Sequence, residues 1–203
     1  MMHPIKTCKL IADYRGDAVL VSTMLAMFAF DHLGVAPAGR LSSVPLMGGA
    51  AGLGLGIALG RPDKKVIVVD GDASVLMQLG GLVNVGERAP KNFVHFVLNN
   101  GTQFTSIANL PRVGTNSADL VALARAAGYE RAERFADLDA LARALPGLLS
   151  AAGPVFAELV VAAPPASYVA EGKQPQQLPD LQFTRMGSEA RALKQWLTEP
   201  SHG

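Results

Sequence analysis

KVIVVDGDAS (residues 65–74) and NFVHFVLNNGT (residues 92–102) decide the fold. Each starts as a run of β-branched, apolar and aromatic residues. Each stops at a turn signal, Gly71 in the first and Asn99-Asn100-Gly101 in the second. Short apolar runs bounded in this way predict strands buried on both faces of a parallel sheet. Residues 74–98 lie between Ala73 and Asn99. That is room for one crossover helix and the second strand. The spacing predicts this helix over Ser74 to Val85, with Ser74 as its N-cap.

The same alternation continues outward. AVLVS (18–22) and VFAELVV (155–161) predict two more strands. Gly48 to Leu59 is small and apolar all round, as a buried helix is. Ser117 to Ala127 predicts a helix ended by Gly128. Asp137 to Leu149 predicts another, kinked or interrupted at Pro146. Strands alternating with helices imply an α/β fold: a parallel sheet with helices on both faces. The expected organisation is one domain over residues 1–162. A Pro- and Gln-rich extended arm follows over 163–185, and a short helix from Ser188 to Thr198 is expected to dock on a partner.

Composition narrows the function classes. The chain has 203 residues with Lys plus Arg 18 against Asp plus Glu 17, so no basic surface speaks for nucleic acid. The lone cysteine, Cys8, allows neither an internal disulfide nor a cysteine zinc site. It favours a reducing compartment, and a cytoplasmic location is expected. Lys6 and Lys9 have no apolar run of signal-peptide length behind them. The apolar stretch Ala18 to Phe30, flanked by Asp17 and Asp31, is short for a membrane span.

In doubly wound sheets ligands gather at the carboxyl ends of the strands. Asp72 and Asn100 are therefore expected side by side at the tips of neighbouring strands. Asp72 offers a hard anionic oxygen and Asn100 an amide oxygen. The turn beyond Asn100 can aim a backbone carbonyl, that of Thr102, at the same point. Three oxygens leave about three octahedral positions on Mg²⁺ for phosphate and water. The N–H groups that open the helix at Ser74 favour an anion there. Gly-Asp or Asn-Asn-Gly alone reads as a turn. Together, each closing a buried strand, they read as a metal-bridged diphosphate site.

The chain resembles the thiamine diphosphate enzymes, whose signature is Gly-Asp-Gly, about 25 residues, then Asn-Asn. Here it runs Gly71-Asp72-Ala73, then Asn99-Asn100, and the resemblance spans residues 18 to 161. Ser22-Thr23 resembles the Ser-Thr-Gly loop of the decarboxylase branch, and Met47-Gly48 resembles the Met-Gly that opens the next helix. The resemblance implies a thiamine diphosphate-binding fold, with thiamine diphosphate and Mg²⁺ as cofactors. Asp72, Asn100 and the Thr102 carbonyl would hold the metal. Ser22, Thr23, Gly71, Ala73 and Ser74 would line the diphosphate, with Asn100 and Thr102 reaching it through the metal. Pro45 and Met47 would meet the aminopyrimidine, and Met47 would wedge under the cofactor.

LNNGTQFTSIANLP is similar to the small, or beta, subunits of phosphonopyruvate and sulfopyruvate decarboxylases. That implies a carboxy-lyase subunit acting on a small acidic 2-oxo acid. Three features depart from the pattern. Ala73 replaces the last Gly of the signature. Met24 and Leu25 follow Ser-Thr. Ser106 to Arg112 lacks Gly-Gly-Gln-Pro-Thr, which bears on the substrate more than on the cofactor. In the family, the Glu that activates the cofactor lies on a separate pyrimidine-binding domain. A partner chain is therefore expected, in a hetero-oligomer such as α2β2 or larger, and this chain alone should be inactive. Two other readings stay open: a carboligase or oxidoreductase subunit with the same cofactor, and a degenerate module without activity. An oxidoreductase needs a path for electrons, and one cysteine builds no iron–sulfur cluster.

Other features read as structural. Gly52, Gly54, Gly56 and Gly60 do not match G-x-G-x-x-G and suit close helix packing. His95 reads as a core histidine, and Met24, Met27 and Met77 as core filler. His32 is expected to face substrate or to cap a helix. Gln103 and Phe104 are candidates for the substrate pocket.

Overall fold

The two buried runs pair as neighbours. In the computed structural model, which describes residues 1–44, 46–105, 108–165 and 181–198, Val66–Gly71 (β3) and Phe93–Asn99 (β4) lie parallel, with Gly71 opposite Leu98. Val19–Ser22 (β1) pairs with β3 on the other side, and Val155–Val160 (β8) pairs with β4. Two strands that hydrophobic pattern did not predict complete the sheet: Arg40–Ser42 (β2) beside β1, and Arg131–Phe135 (β7) beside β8. The order β2-β1-β3-β4-β8-β7 is parallel throughout, as expected of this alternation. The missed strands are the two edges. Edge strands carry charge, here Arg40, Arg131, Glu133 and Arg134, and so lack the apolar run that marks a central strand.

Alternate residues of the central strands feed two cores. Leu20, Ile67, Val94 and Phe96 pack with Pro4–Asp13 (α1), Met24–His32 (α2) and Leu138–Ser150 (α7). Val21, Val66, Val68 and Phe93 pack with Ala50–Gly60 (α3), Gly80–Arg88 (α5) and Leu120–Ala126 (α6). Burial pushes the Cys8 thiol of α1 up to about 12, which keeps it protonated. Among the described residues no helix is long and apolar enough to cross a membrane.

Several expected elements change. The helix predicted over Ser74 to Val85 is two helices, Asp72–Met77 (α4) and α5, separated at Gln78 and Leu79. Gly80-Gly81 follows that break, and glycine resists helix continuation. Ser74 is not an N-cap: α4 starts at Asp72, and Gly71 holds the cap position. Helix α7 is not interrupted at Pro146. The expected helix from Ser188 begins at Leu181 (Leu181–Thr198, α8), inside the range read as arm; residues 166–180 of that range lie outside the described residues. Helices α1 and α2 were not predicted.

Helix α8 docks on this chain's own β2. Glu189 Oε2 accepts the Ser42 backbone N–H at 2.6 Å and Oε1 accepts the Ser42 hydroxyl at 3.2 Å. Arg185 donates to Glu189 and to Asp31, each at 2.6 Å, and buried Arg40 reaches the same Asp31 at 2.8 Å. Leu193 enters the core on the α3 side. Burial would raise the Asp31 pKa, but hydrogen bonds from Arg185 and Arg40 outweigh it and hold the carboxyl below the usual range. A depressed native pKa stabilises the fold above the unfolded value of about 4, and that stability is lost as pH falls through the lower native value. Asp31→Asn should therefore cost about 1–3 kcal/mol at neutral pH. The cost should shrink on acidification below about pH 4, as read from urea midpoints across pH. An equal cost at every pH would remove the ion pair as the cause.

Candidate functional site

At the carboxyl ends of β1, β2, β3 and β4 four loops meet. The first holds Ser22 and Thr23. Ser22 is fully buried and its hydroxyl has no hydrogen-bond partner. Thr23 donates its backbone N–H to Val69 O at 3.1 Å, which ties the loop to β3. A Cβ on Gly71 would stand 4.0 Å from Thr23 Oγ1. The second loop carries Met47, 56% exposed beside the site, and Gly48 with a left-handed φ of +83°. Gly48 N–H donates to Ser74 Oγ at 2.9 Å, joining this loop to α4. Ser74 thus accepts with one lone pair and keeps its own O–H to donate. Pro45 lies outside the described residues.

Asp72 opens α4 and is 2% exposed. Its Oδ2 accepts Gly101 N–H at 3.0 Å, so the turns after β3 and β4 touch as strand pairing predicted. Asn100 Oδ1 accepts the Thr102 N–H at 2.9 Å and hydroxyl at 3.0 Å. Asn100 Nδ2 donates to Thr105 Oγ1 at 3.2 Å. The structure brings together Ser22, Thr23, Gly71, Asp72, Ala73, Ser74, Asn100 and Thr102. Gln103 lies half-buried in a short strand (Thr102–Gln103, β5), and Phe104 is exposed. His32 closes α2 on a different part of the chain.

Sequence reasoning missed three contributors. Arg112 follows Leu110–Pro111 (β6), which pairs antiparallel with β5 and sets Pro111 opposite Thr102. It is 4% exposed and its Nε donates to Asp72 Oδ2 at 2.5 Å. Burial raises the Asp72 pKa; Arg112 and the N–H groups of Ala73 and Gly101 pull it back without cancelling the shift. Glu158, buried on β8, accepts Asn99 Nδ2 at 2.6 Å and Arg134 Nε at 2.8 Å. Asn99 Oδ1 in turn accepts Gly101 N–H at 3.1 Å, so Glu158 braces the turn against which Asp72 rests. Arg112 and Asp72 stand 40 residues apart and meet only through the β5–β6 hairpin, so no local spacing signals the pair.

The third contributor is Asp70. Its Oδ1 accepts Gly71 N–H at 2.8 Å, and its Oδ2 lies 3.6 Å from His95 Nε2. His95 Nδ1 contacts Tyr129 Oη at 3.0 Å. All three residues are buried, and His95 is the core histidine that its position mid-strand predicted.

The donors suit a hard cation and an anion. Among the described residues no three His, Cys, Asp or Glu side chains converge, and the oxygens gathered at this corner are those of one carboxylate, Asp72, with amide and backbone groups. That oxygen-only chemistry is what Mg²⁺ takes. The unpartnered Ser22 hydroxyl is a donor fit for a phosphate oxygen.

Residues 23–159 match the family model described as thiamine pyrophosphate enzyme, C-terminal TPP binding domain. The chain is 38% identical over 157 residues to a phosphonopyruvate decarboxylase of Streptomyces viridochromogenes, covering 75% of this chain and 38% of that protein. It is 37% identical over 115 residues to the sulfopyruvate decarboxylase subunit beta of Methanothermobacter thermautotrophicus, covering 57% of this chain and 58% of that one. It thus spans about two-fifths of the first relative and under two-thirds of the second. An X-ray structure from Mycobacterium smegmatis, described as a thiamin diphosphate-dependent enzyme, aligns with a TM-score of 0.66 at 21% identity. That alignment covers 80% of this chain and 32% of the other, a likeness of fold.

Asn99→Ala should leave Glu158 without its amide donor and Gly101 with one acceptor fewer. The expected loss is about 1–3 kcal/mol, measured as a shift in urea midpoint. An unshifted midpoint would show that the turn holds itself without the Glu158 brace.

Proposed function

This chain belongs to the thiamine pyrophosphate enzyme family, as its C-terminal TPP-binding domain, and from that premise we propose that it is the diphosphate- and Mg²⁺-binding subunit of a decarboxylase of small acidic 2-oxo acids. The observation that carries the reading is the buried Asp72 carboxylate meeting the turn after β4 through Gly101. The phosphonopyruvate and sulfopyruvate decarboxylase relatives support the reaction class, and the subunit name of the latter supports a partner chain.

In this role Asp72 and the Thr102 carbonyl hold the metal, joined by the Asn100 amide oxygen once the Thr102 hydroxyl that now bonds it turns away. Ser22, Thr23 and Ser74 donate hydrogen bonds to phosphate oxygens, beside the backbone of Gly71 and Ala73. Met47, exposed on its loop, meets the ring system together with the backbone near Pro45. Bound here, the cofactor supplies the carbanion and the electron sink that loss of CO₂ requires. The protein contributes position and charge: Asp72 anchors, Asn99 and Glu158 hold the turn, and Gly48 fixes the Ser74 hydroxyl. The Glu that activates the cofactor comes from a pyrimidine-binding partner in a hetero-oligomer such as α2β2.

A second reading, a module without activity, draws on Ala73 in the signature and on Arg112 occupying an Asp72 oxygen. The two readings separate in one preparation. The native complex, purified with ligands kept bound, should contain a second chain with thiamine diphosphate and Mg²⁺, and should release CO₂ from a sulfo- or phosphono-substituted pyruvate. A homo-oligomer without cofactor favours the inactive module. Asp72→Ala should abolish Mg²⁺-dependent cofactor binding, read by calorimetry, and unchanged binding would sink the metal assignment.

A further inference from the structure

The role proposed above leaves unused the buried cation beside Asp72. Arg112 is fastened to the site twice. Its backbone N–H donates to Gly101 O at 3.1 Å, and its Nε donates to Asp72 Oδ2 at 2.5 Å. Among the described residues this is the ion pair of Asp72, and both side chains are nearly inaccessible, 3% and 2% exposed. The same Oδ2 also accepts Gly101 N–H at 3.0 Å. A carboxylate oxygen offers about two lone-pair sites, and on Oδ2 both are taken. A divalent cation on that oxygen would also stand within a few ångströms of the guanidinium, where like charges repel strongly in a buried setting. Metal and guanidinium therefore cannot share Oδ2 as it stands.

We propose that Arg112 sets the metal affinity of this site by competing for Asp72 Oδ2. The inference rests on Asp72 being a metal ligand. The guanidinium is the counter-ion of the buried carboxylate until a divalent cation displaces it. A displaced guanidinium has somewhere to go. Arg112 lines a polar cavity of about 380 Å³ whose other walls include Asp119 and Glu158. Each of those acids is shared at present with Arg134, at 3.0 and 2.8 Å. The backbone of Arg112 stays in place during such a swing, held by its N–H on Gly101 O and by the Thr115 hydroxyl on its carbonyl at 2.6 Å.

The test uses the full chain, stripped of metal, and Mn²⁺ alone as the probe, with free Mn²⁺ counted by electron paramagnetic resonance. Removing the competitor leaves Asp72 buried and unpaired, so Arg112→Met should bind Mn²⁺ at least about tenfold more tightly than wild type. Its metal-stripped form should melt at lower temperature, and Mn²⁺ should raise its Tm by more than it raises that of wild type. Arg112→Lys, which keeps the charge, should stay near wild type. Arg112→Gln, which keeps an N–H but no charge, gives the same reading if the methionine variant does not fold. Equal or weaker Mn²⁺ binding by the uncharged variants, with binding still abolished by Asp72→Asn, overturns the competition and leaves the metal site standing. Binding that survives Asp72→Asn, or no binding in any of these proteins, overturns the metal assignment and the competition together.

Discussion

The contact on which this site depends is a hydrogen bond between two turns. Gly101 N–H reaches Asp72 Oδ2 because β3 and β4 are adjacent, parallel and in a register that sets Gly71 opposite Leu98. Parallel pairing aligns strand ends of the same polarity, so two turns that are remote in sequence arrive at one corner. Everything at the site inherits that corner. Ser22 and Thr23 arrive through the pairing of β1 with β3, and Asn99 is braced by Glu158 through the pairing of β4 with β8. The sheet is thus the positioning device, and the apolar residues of its strands are what hold the site's geometry.

A buried carboxylate at such a corner carries a cost. Asp72 is screened from water, and burial outweighs its hydrogen bonds in setting its pKa. An anion in that position must have a partner. The chain supplies one from its own sequence, Arg112, delivered by the two-residue strands β5 and β6. The hairpin thus brings a counter-charge to an anion that burial cuts off from water. Arg112 is the last residue of the stretch whose sequence departs from the pattern of the phosphonopyruvate enzymes.

Much of this was legible in the sequence because the central strands have no freedom to be anything else. KVIVVD and NFVHFVL are apolar on both faces, and their turn residues sit where ligand-binding loops must be. Edge strands were illegible for the opposite reason: RLS and RAERF mix charge with short apolar stretches and look like loops until a neighbour pairs with them. The helix over residues 74–85 looked continuous because Val75, Leu82 and Val85 keep a helical period across the break; all three face one core. At the site, spacing alone placed the turn at Asp72 beside the turn at Asn100-Gly101. Spacing did not find Arg112 and Glu158, since each meets the site through a contact that only the folded chain creates.

The seating of α8 on β2 bears on how this protein can meet other chains. A free strand edge is a row of unpaired amides and carbonyls onto which another strand can add. Here the Ser42 amide is already held by the Glu189 carboxylate, and Arg40 and Arg185 both donate to Asp31 beside it. An intruding strand would have to displace a charged network to gain one backbone bond. That edge is therefore guarded against β-augmentation. At this edge, association that leaves α8 in place must use side-chain surfaces; elsewhere on the chain Leu46, Met47, Met77 and Phe104 are exposed apolar side chains.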